Sequence, residues 1–472
     1  MGSREVTDWQ GKNVTVAGLG VSGIPAAKAL HGLGANVTVV NDGDDARARE
    51  QAAGLEALGV TVRLGDGATL PEGAELVVTA PGWKPDKPLF MAARAAGVPI
   101  WGDVELAWRL RGPDAAPWLC VTGTNGKTTT TRMLASILEA AGLRTAAVGN
   151  IGVSLLDAVL GDERYDVLAV ELSSYQLHWA PSLRAHSAAV LNLAPDHLDW
   201  HGSMEAYAKD KGRVYEGNRV ACVYNVADKA TEDLVREADV EEGCRAIGFT
   251  LGAPAPSQLG VVDGILVDRA FVEDRQKNAQ ELAEVADVDP PAPHNIANAL
   301  AAAALARAFG VPPKAVRDGL RAFVPDAHRI AHVADVDGVA YVDDSKATNT
   351  HAAQASLAAY GSIVWIAGGL AKGATFDELV AESAERLRGV VLIGADRALI
   401  REALARHAPE VPVVDLDRTD TGAMSAAVQE ARRLAAEGDT VLLAPACASM
   451  DMFVNYNQRG DAFAQAVREL GT

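Results

Sequence analysis

The feature that most constrains this chain is a repeated succession of a short β-branched run, a glycine turn and a helical stretch. Residues 14–17 form an apolar run ending at Gly18, and 22–33 have helical spacing. Further apolar runs lie at 37–40, 60–64 and 76–79, with helix-like segments between them. Parallel strands need a long crossover and antiparallel ones do not, so this alternation predicts parallel sheets with helices on their faces. The pattern stops at 111–117, where Gly112, Pro113 and Pro117 break both periodicities. It resumes with strands at 118–122, 145–148, 167–171, 188–191 and 220–224 and a helix over 127–141. Short alternating runs at 247–250, 261–262 and 265–267 predict a small antiparallel patch or an extended excursion. An Ala-rich helix follows His294, and Phe323-Val324-Pro325 reads as a second break. The last stretch repeats the alternation, with strands at 339–343, 363–367, 390–394, 411–415 and 440–444 and a final helix over 458–470.

At about 150 residues per domain, 472 residues suggest three domains. The expected class is α/β. A Rossmann-like domain over 1–113 precedes a central P-loop domain with a mostly parallel sheet over 114–326, and a second Rossmann-like domain covers 327–472. The net charge of −19 argues against a protein that grips nucleic-acid backbones, and leaves room for a local basic loop around a small anion. Cys120, Cys222, Cys244 and Cys447 include no C-x-x-C pair, so a zinc ribbon and a thioredoxin motif are excluded and reduced thiols are expected. Residues 1–6 hold no apolar leader, and Val6 breaks the myristoylation pattern. With no uncharged apolar stretch near 18 residues, no membrane span is expected, and a cytoplasmic location is.

The strongest local signal is Thr122-Gly123-Thr124-Asn125-Gly126-Lys127-Thr128-Thr129, which follows a strand and opens a helix. Glycines let successive backbone N–H groups face phosphate oxygens, and the helix N-terminus adds partial positive charge. Lys127 is then placed for the β- and γ-phosphates and the Thr128 hydroxyl for Mg2+. Val121 stands where the strict P-loop has its first glycine, so this is a shortened variant; the plain alternative is a threonine-capped turn. Glu171 ends a β-run, and Asp196-His197 follows another, which puts both at the sheet edge where ligands sit. Together they suit a second Mg2+; singly, each reads equally well as a cap neighbour or a loop histidine. Gly18-Leu19-Gly20-Val21-Ser22-Gly23, with Asp42 nineteen residues beyond, fits a dinucleotide or another phosphate-bearing ligand. Three more loops follow strands, at 343–349, 368–373 and 445–449. Lys346, Lys372 and Ser449 there suit carboxylates, and Cys447, with no basic neighbour in sequence, reads as a structural thiol.

Taken together, 123–129, Glu171 and Asp196-His197 resemble the muramyl ligase family, the ATP-dependent amide-forming enzymes of peptidoglycan precursor synthesis. The resemblance extends over essentially the whole chain. Residues 149–152 (Gly-Asn-Ile-Gly), 171–177, 344–349 (Asp-Ser-Lys-Ala-Thr-Asn) and 445–451 (Pro-Ala-Cys-Ala-Ser-Met-Asp) are most similar to the branch that adds D-glutamate to UDP-N-acetylmuramoyl-L-alanine. Residues 196–207 are closer to the diamino-acid-adding relatives, which keeps that branch open. The resemblance implies that Val21, Ser22, Asp42 and Asn150 meet the UDP-linked substrate. It implies that Gly123, Thr124, Asn125, Gly126, Lys127, Thr128 and Thr129 hold ATP, with Asn295 on the adenine side and Arg329 and Asp344 on the nucleotide. Thr128 would serve one Mg2+, and Glu171 and His197 another, with Lys211 as a carbamylated lysine supporting the metal. The plain reading of Lys211 is an exposed helix lysine. Thr348, Lys372, Ser449 and Tyr456 would meet D-glutamate, while Leu370 departs from relatives that carry Asp. Lys127, Glu171, His197 and Lys211 are thus the expected catalytic set, in a monomer whose partners are these small molecules. A folate-type polyglutamate ligase would lack the first domain, and a dinucleotide-dependent oxidoreductase would leave 123–129 unused.

Overall fold

Three sheets organise the computed structural model, which describes residues 8–325, 327–418, 420 and 422–470. Residues 1–6, on which the expectation of no leader rests, and the domain limits at 326 and 472 lie outside these. The chain divides into two compact units. One holds everything described up to Val288 together with Ile296–Phe323; the other holds Asp289–Asn295 and the residues from Val324 onward.

The first unit carries two sheets. Asn13–Ala17 lies at the centre of five parallel strands, flanked by Asn36–Asn41 and Leu76–Thr79, with Thr61–Leu64 and Ile100–Gly102 at the edges. The strand order reverses beside Asn13–Ala17, so the turn after it opens at the point where α/β sheets bind ligands. In the second sheet, Trp118–Thr122 is buried at every position and sits between Ser187–Val190 and Leu168–Glu171. Beyond these, Ala147–Gly149 closes one edge, and Ala221–Asn225 and Arg245–Phe249 extend the other, all parallel. The residues between 241 and 293 prove to be a continuation of this sheet. Gln258–Val262 pairs parallel to Arg245–Phe249, and Ile265–Asp268 and Gln280–Glu284 fold back antiparallel.

Small side chains let helices settle close to this sheet. Residues 299–306, mostly alanine, are fully buried. A Cβ on Gly319 would lie 2.4 Å from the Ile137 Cα, so the helices Pro313–Ala322 and Lys127–Ala140 meet backbone to backbone. The two sheets are joined through Glu105, a fully buried carboxylate on the helix Asp103–Leu110. It accepts from the Ser182 N–H (2.9 Å), the Ser182 hydroxyl (2.5 Å) and Arg109 Nε (2.5 Å). Beside it the Gly102 N–H donates to the Trp179 carbonyl at 2.9 Å.

The second unit has one sheet, ordered Ala331–Val336, Val339–Asp343, Thr440–Leu443, Ile363–Gly368, Leu387–Ile393 and Val413–Asp415. All neighbours are parallel except the first pair, a hairpin. Its turn is Asp337-Gly338, with φ of 53° and 75°, as a tight hairpin turn requires. Among the described residues no helix is long and apolar enough to cross a membrane. Glu105→Gln removes a charged acceptor from a buried site where three donors converge. The expected loss is about 2–3 kcal/mol in a urea denaturation of the whole chain, with the two sheets of the first unit uncoupled.

Candidate active site

The loop between Trp118–Thr122 and the helix Lys127–Ala140 is held open from behind. Gly126 has φ of 82°, and a Cβ there would lie 2.4 Å from Asn298 Oδ1. The Thr124 N–H donates to the Asn192 carbonyl (3.0 Å), and the Asn125 N–H to Asn192 Oδ1 (2.8 Å). Thr124 Oγ1 accepts from the Ala194 N–H (2.9 Å) and pairs with the Tyr207 hydroxyl (2.9 Å). These bonds fix the loop before any ligand arrives. The helix that follows has no side-chain cap at its N-terminus, which leaves its first turn and its dipole suited to an anion. Thr128 and Thr129 lie half-buried in its first turn.

Two lysines converge on this loop. Lys127 Nζ donates to the carbonyls of Gly123 (3.0 Å) and Thr124 (2.9 Å). Lys211, on the helix Met204–Gly212, is buried rather than exposed. Its Nζ donates to the same Gly123 carbonyl at 2.7 Å and to Thr122 Oγ1 at 3.3 Å. Burial first, and the Lys127 charge second, hold the Lys211 amine well below the ordinary lysine range, against the pull of Asp196 and Glu171. The surroundings thus disfavour the ammonium form.

Glu171 and Asn150 come together at the carboxyl ends of neighbouring strands. Glu171 Oε1 accepts from Asn150 Nδ2 at 2.9 Å, while the buried Oε2 has no hydrogen-bond partner. A buried carboxylate oxygen left unpaired is costly, and a divalent cation removes that cost. His197 sits in a left-handed conformation (φ 54°), its ring 4.8 Å from that of Tyr175 and its Nε2 3.5 Å from Asp196 Oδ2. Burial pushes its pKa down, Asp196 opposes this, and the charges of Lys127 and Lys211 push it further. These influences favour the neutral ring, the form in which imidazole can ligate a cation. Among the described residues no three His, Cys, Asp or Glu side chains gather as a metal cage. The donors present are one carboxylate, one imidazole and one hydroxyl. They fit Mg2+, which keeps few protein ligands and takes phosphate oxygens for the rest.

Sequence reasoning missed the support behind this group. Asp210, adjacent to Lys211, is buried between His178 Nδ1 (2.8 Å) and His201 Nδ1 (3.0 Å), with Arg213 Nε at 3.1 Å. Burial acts to raise its pKa, but the hydrogen bonds from the two histidines outweigh it and hold it at about 2. His201 Nε2 in turn pairs with Ser174 Oγ at 2.9 Å. The helix carrying Lys211 is thereby tied to the segment that follows Glu171. The only signal in the sequence was the Asp-Lys adjacency.

The remaining predicted residues fall into two groups. In the first unit, Val21 is exposed at the turn after Asn13–Ala17, Ser22 Oγ donates to Asp103 Oδ2 at 2.8 Å, and Asp42 is ion-paired with Lys87. In the second unit, Asn295 Nδ2 donates to the Pro290 carbonyl at 3.3 Å. Asp344 is buried and accepts from Ser356 Oγ. Burial raises its pKa to about 6, against that hydrogen bond and the charge of Arg329. Thr348, Lys372 and Ser449 lie on three loops at strand ends. The Ala446 N–H donates to the Ala347 carbonyl, and Leu370 and Ala448 exchange two backbone bonds, all at 2.9 Å. The Tyr456 ring lies 4.2 Å from Lys346 Nζ. Burial raises the Cys447 thiol to about 12, as a structural thiol requires. Gly126→Ala forces a side chain into a left-handed, occupied position. We expect about 1–3 kcal/mol of lost stability, read as a lower Tm, and loss of ATP binding by calorimetry.

Comparison with known proteins identifies the family. Residues 121–306 match the Mur ligase middle domain, and 328–447 match the Mur ligase, glutamate ligase domain. The UDP-N-acetylmuramoylalanine–D-glutamate ligase of Streptomyces avermitilis is 89% identical, covering 99% of this chain and 100% of its own. That of Thermobifida fusca is 60% identical, covering 98% and 99%. Among solved structures, the MurF ligase of Thermotoga maritima in complex with ADP aligns with a TM-score of 0.58 at 16% identity, covering 98% of this chain and 96% of its own. The UDP-N-acetylmuramate–alanine ligase MurC of the same organism gives 0.55 at 18%, covering 97% and 99%. With the sequence shared almost end to end and the fold shared with these structures, the chain belongs to the Mur ligase family.

Proposed function

We propose that the chain joins D-glutamate to UDP-N-acetylmuramoyl-L-alanine at the expense of ATP, forming an amide through an acyl phosphate. The reading is carried by one coincidence. A preformed phosphate loop, a buried neutral-prone Lys211 and an unpaired Glu171 oxygen occur together in a chain 89% identical to a ligase of that name. Three segments divide the work: 1–113 takes the UDP end through Val21, Ser22 and Asp42, 114–326 takes ATP, and 327–472 takes the amino acid. Asn295 faces the adenine, and Arg329 and Asp344 the nucleotide. Thr348, Lys372, Ser449 and Tyr456 receive D-glutamate. The protein works as a monomer in the cytoplasm.

A carboxylate is a poor acyl donor, so its oxygen must first be converted into a leaving group. The alanine carboxylate attacks the γ-phosphorus of ATP, which releases ADP and leaves an acyl phosphate. The amine of D-glutamate then attacks that carbonyl, and inorganic phosphate departs. The loop amides and the helix dipole hold the phosphates in line. Lys127 exchanges its two loop carbonyls for phosphate oxygens and follows the charge as it moves to the bridging oxygen. The neutral Lys211 amine adds to carbon dioxide and loses a proton, giving a carbamate whose negative charge replaces the ammonium. One Mg2+ held by Thr128, and a second held by Glu171 and His197 with this carbamate in support, would supply charge neutralisation at the transferring phosphoryl group. Asn150 orients Glu171 for that task.

Phosphate release should require UDP-N-acetylmuramoyl-L-alanine, ATP and D-glutamate together. Faster release with a diamino acid in place of D-glutamate would redirect the assignment to the sister branch. Lys127→Ala should lower kcat by about a hundredfold or more with an unchanged circular dichroism spectrum. Lys211→Ala should lose activity and regain part of it with added short carboxylic acids, which replace the carbamate. Complete inactivity with every acid tried would remove the carbamate from the scheme.

A further inference from the structure

A second buried cation in the described residues is Arg459. It lies on the helix Tyr456–Leu470 and is only 1% exposed. Its Nε donates to Ser345 Oγ (2.9 Å), its Nη2 to the Ser345 carbonyl (2.8 Å) and its Nη1 to the Cys447 carbonyl (3.1 Å). Ser345 is itself held on both sides, its N–H donating to Asp343 Oδ1 (2.9 Å) and its hydroxyl to the Tyr456 carbonyl (2.8 Å). One guanidinium therefore clamps the loop 344–349 to the loop 445–451, and both to the start of its own helix. The three points it ties together stand beside Lys346 and Thr348, beside Ser449, and at Tyr456.

This guanidinium makes no ion pair among the described residues. Burial lowers its pKa to about 10, against Cys447 and the more distant Asp451, Asp343 and Asp344, which leaves it charged at neutral pH. A buried cation without a counter-ion is expensive to keep. A purely structural clamp between carbonyls needs donors and no net charge. The charge has a use if the ligand beside these loops is an anion, because in a low-dielectric site the attraction is weakly screened.

We propose that Arg459 is the positioning residue of the amino-acid half of the reaction: it fixes the two loops that receive the incoming substrate and biases them towards a dicarboxylic amino acid. The inference rests on the assignment of D-glutamate to these loops. The planar fork is essential to it, because three donors in fixed directions reach two backbones and a hydroxyl, which a lysine head cannot do.

The test measures KM and kcat for all three substrates in the full chain, together with Tm, for the wild type and for Arg459→Lys, Arg459→Met and Ser345→Ala. The wild type comes first: if it does not turn over D-glutamate, the proposed function fails, independently of the clamp. If it does, Arg459→Lys should raise the KM for D-glutamate about tenfold, with kcat within about threefold and the KM for ATP unchanged. Arg459→Met, lacking charge as well as fork, should raise it about a hundredfold, and Ser345→Ala about threefold. Should Arg459→Met fail to fold, the other two variants decide. An unchanged KM for D-glutamate in the folded variants overturns the proposal, as does a rise in all three KM values that merely follows the drop in Tm.

Discussion

The carbonyl of Gly123 accepts hydrogen bonds from two lysine side chains, Lys127 at 3.0 Å and Lys211 at 2.7 Å. Much of the first unit can be understood as the means of sustaining that convergence. Two ammonium groups on one acceptor repel each other, and burial makes the repulsion stronger. Burial and the Lys127 charge hold the Lys211 amine well below the ordinary lysine range. Its helix has to be docked firmly enough to keep the amine there, and the buried Asp210 does this through His178, His201 and Arg213. In the proposed carbamylation, the burial and repulsion that disfavour the ammonium also prepare the amine for reaction.

The second unit solves a related problem in another way. Its loops also end parallel strands, but the cation that organises them is a guanidinium, which stays charged where an amine would not. Lys211 and Arg459 are both buried, and both donate to loop carbonyls at the carboxyl edge of a sheet. The difference in side-chain chemistry matches a difference in task. In the proposed reaction one group surrenders its proton to become a carbamate, and in the proposed clamp the other remains a cation beside an anionic substrate.

Packing explains why such loops can be held so closely. With few aromatics, the core is built from alanine, valine and leucine, and the fully buried stretch 299–306 lets helices approach the central sheet at short range. Large side chains appear where sheets have to be joined, as in the edge-on contact of Trp108 with Trp118 at 5.1 Å. The chain as a whole carries −19. This keeps basic groups at ligand loops from becoming a general anion-binding face.

The sequence by itself determined the parallel strands, since Leu76–Thr79 and Val339–Asp343 are β-branched runs bounded by turns, and it determined the phosphate loop, whose glycines, lysine and threonines are contiguous. These features are local, and local periodicity reports them. Ile100–Gly102 and Gln280–Glu284 were not legible, being short or polar edge strands stabilised by a neighbour rather than by their own residues. Ala331–Val336 went unread, although the Asp337-Gly338 turn announced its hairpin. Only the tertiary structure decided that Lys211 is buried on the loop, that Asp210 joins two distant histidines, and that Arg459 clasps Ser345 and Cys447. Such pairings form when remote segments return to one sheet edge, and their energies depend on burial, a property of the folded whole that no residue pattern carries.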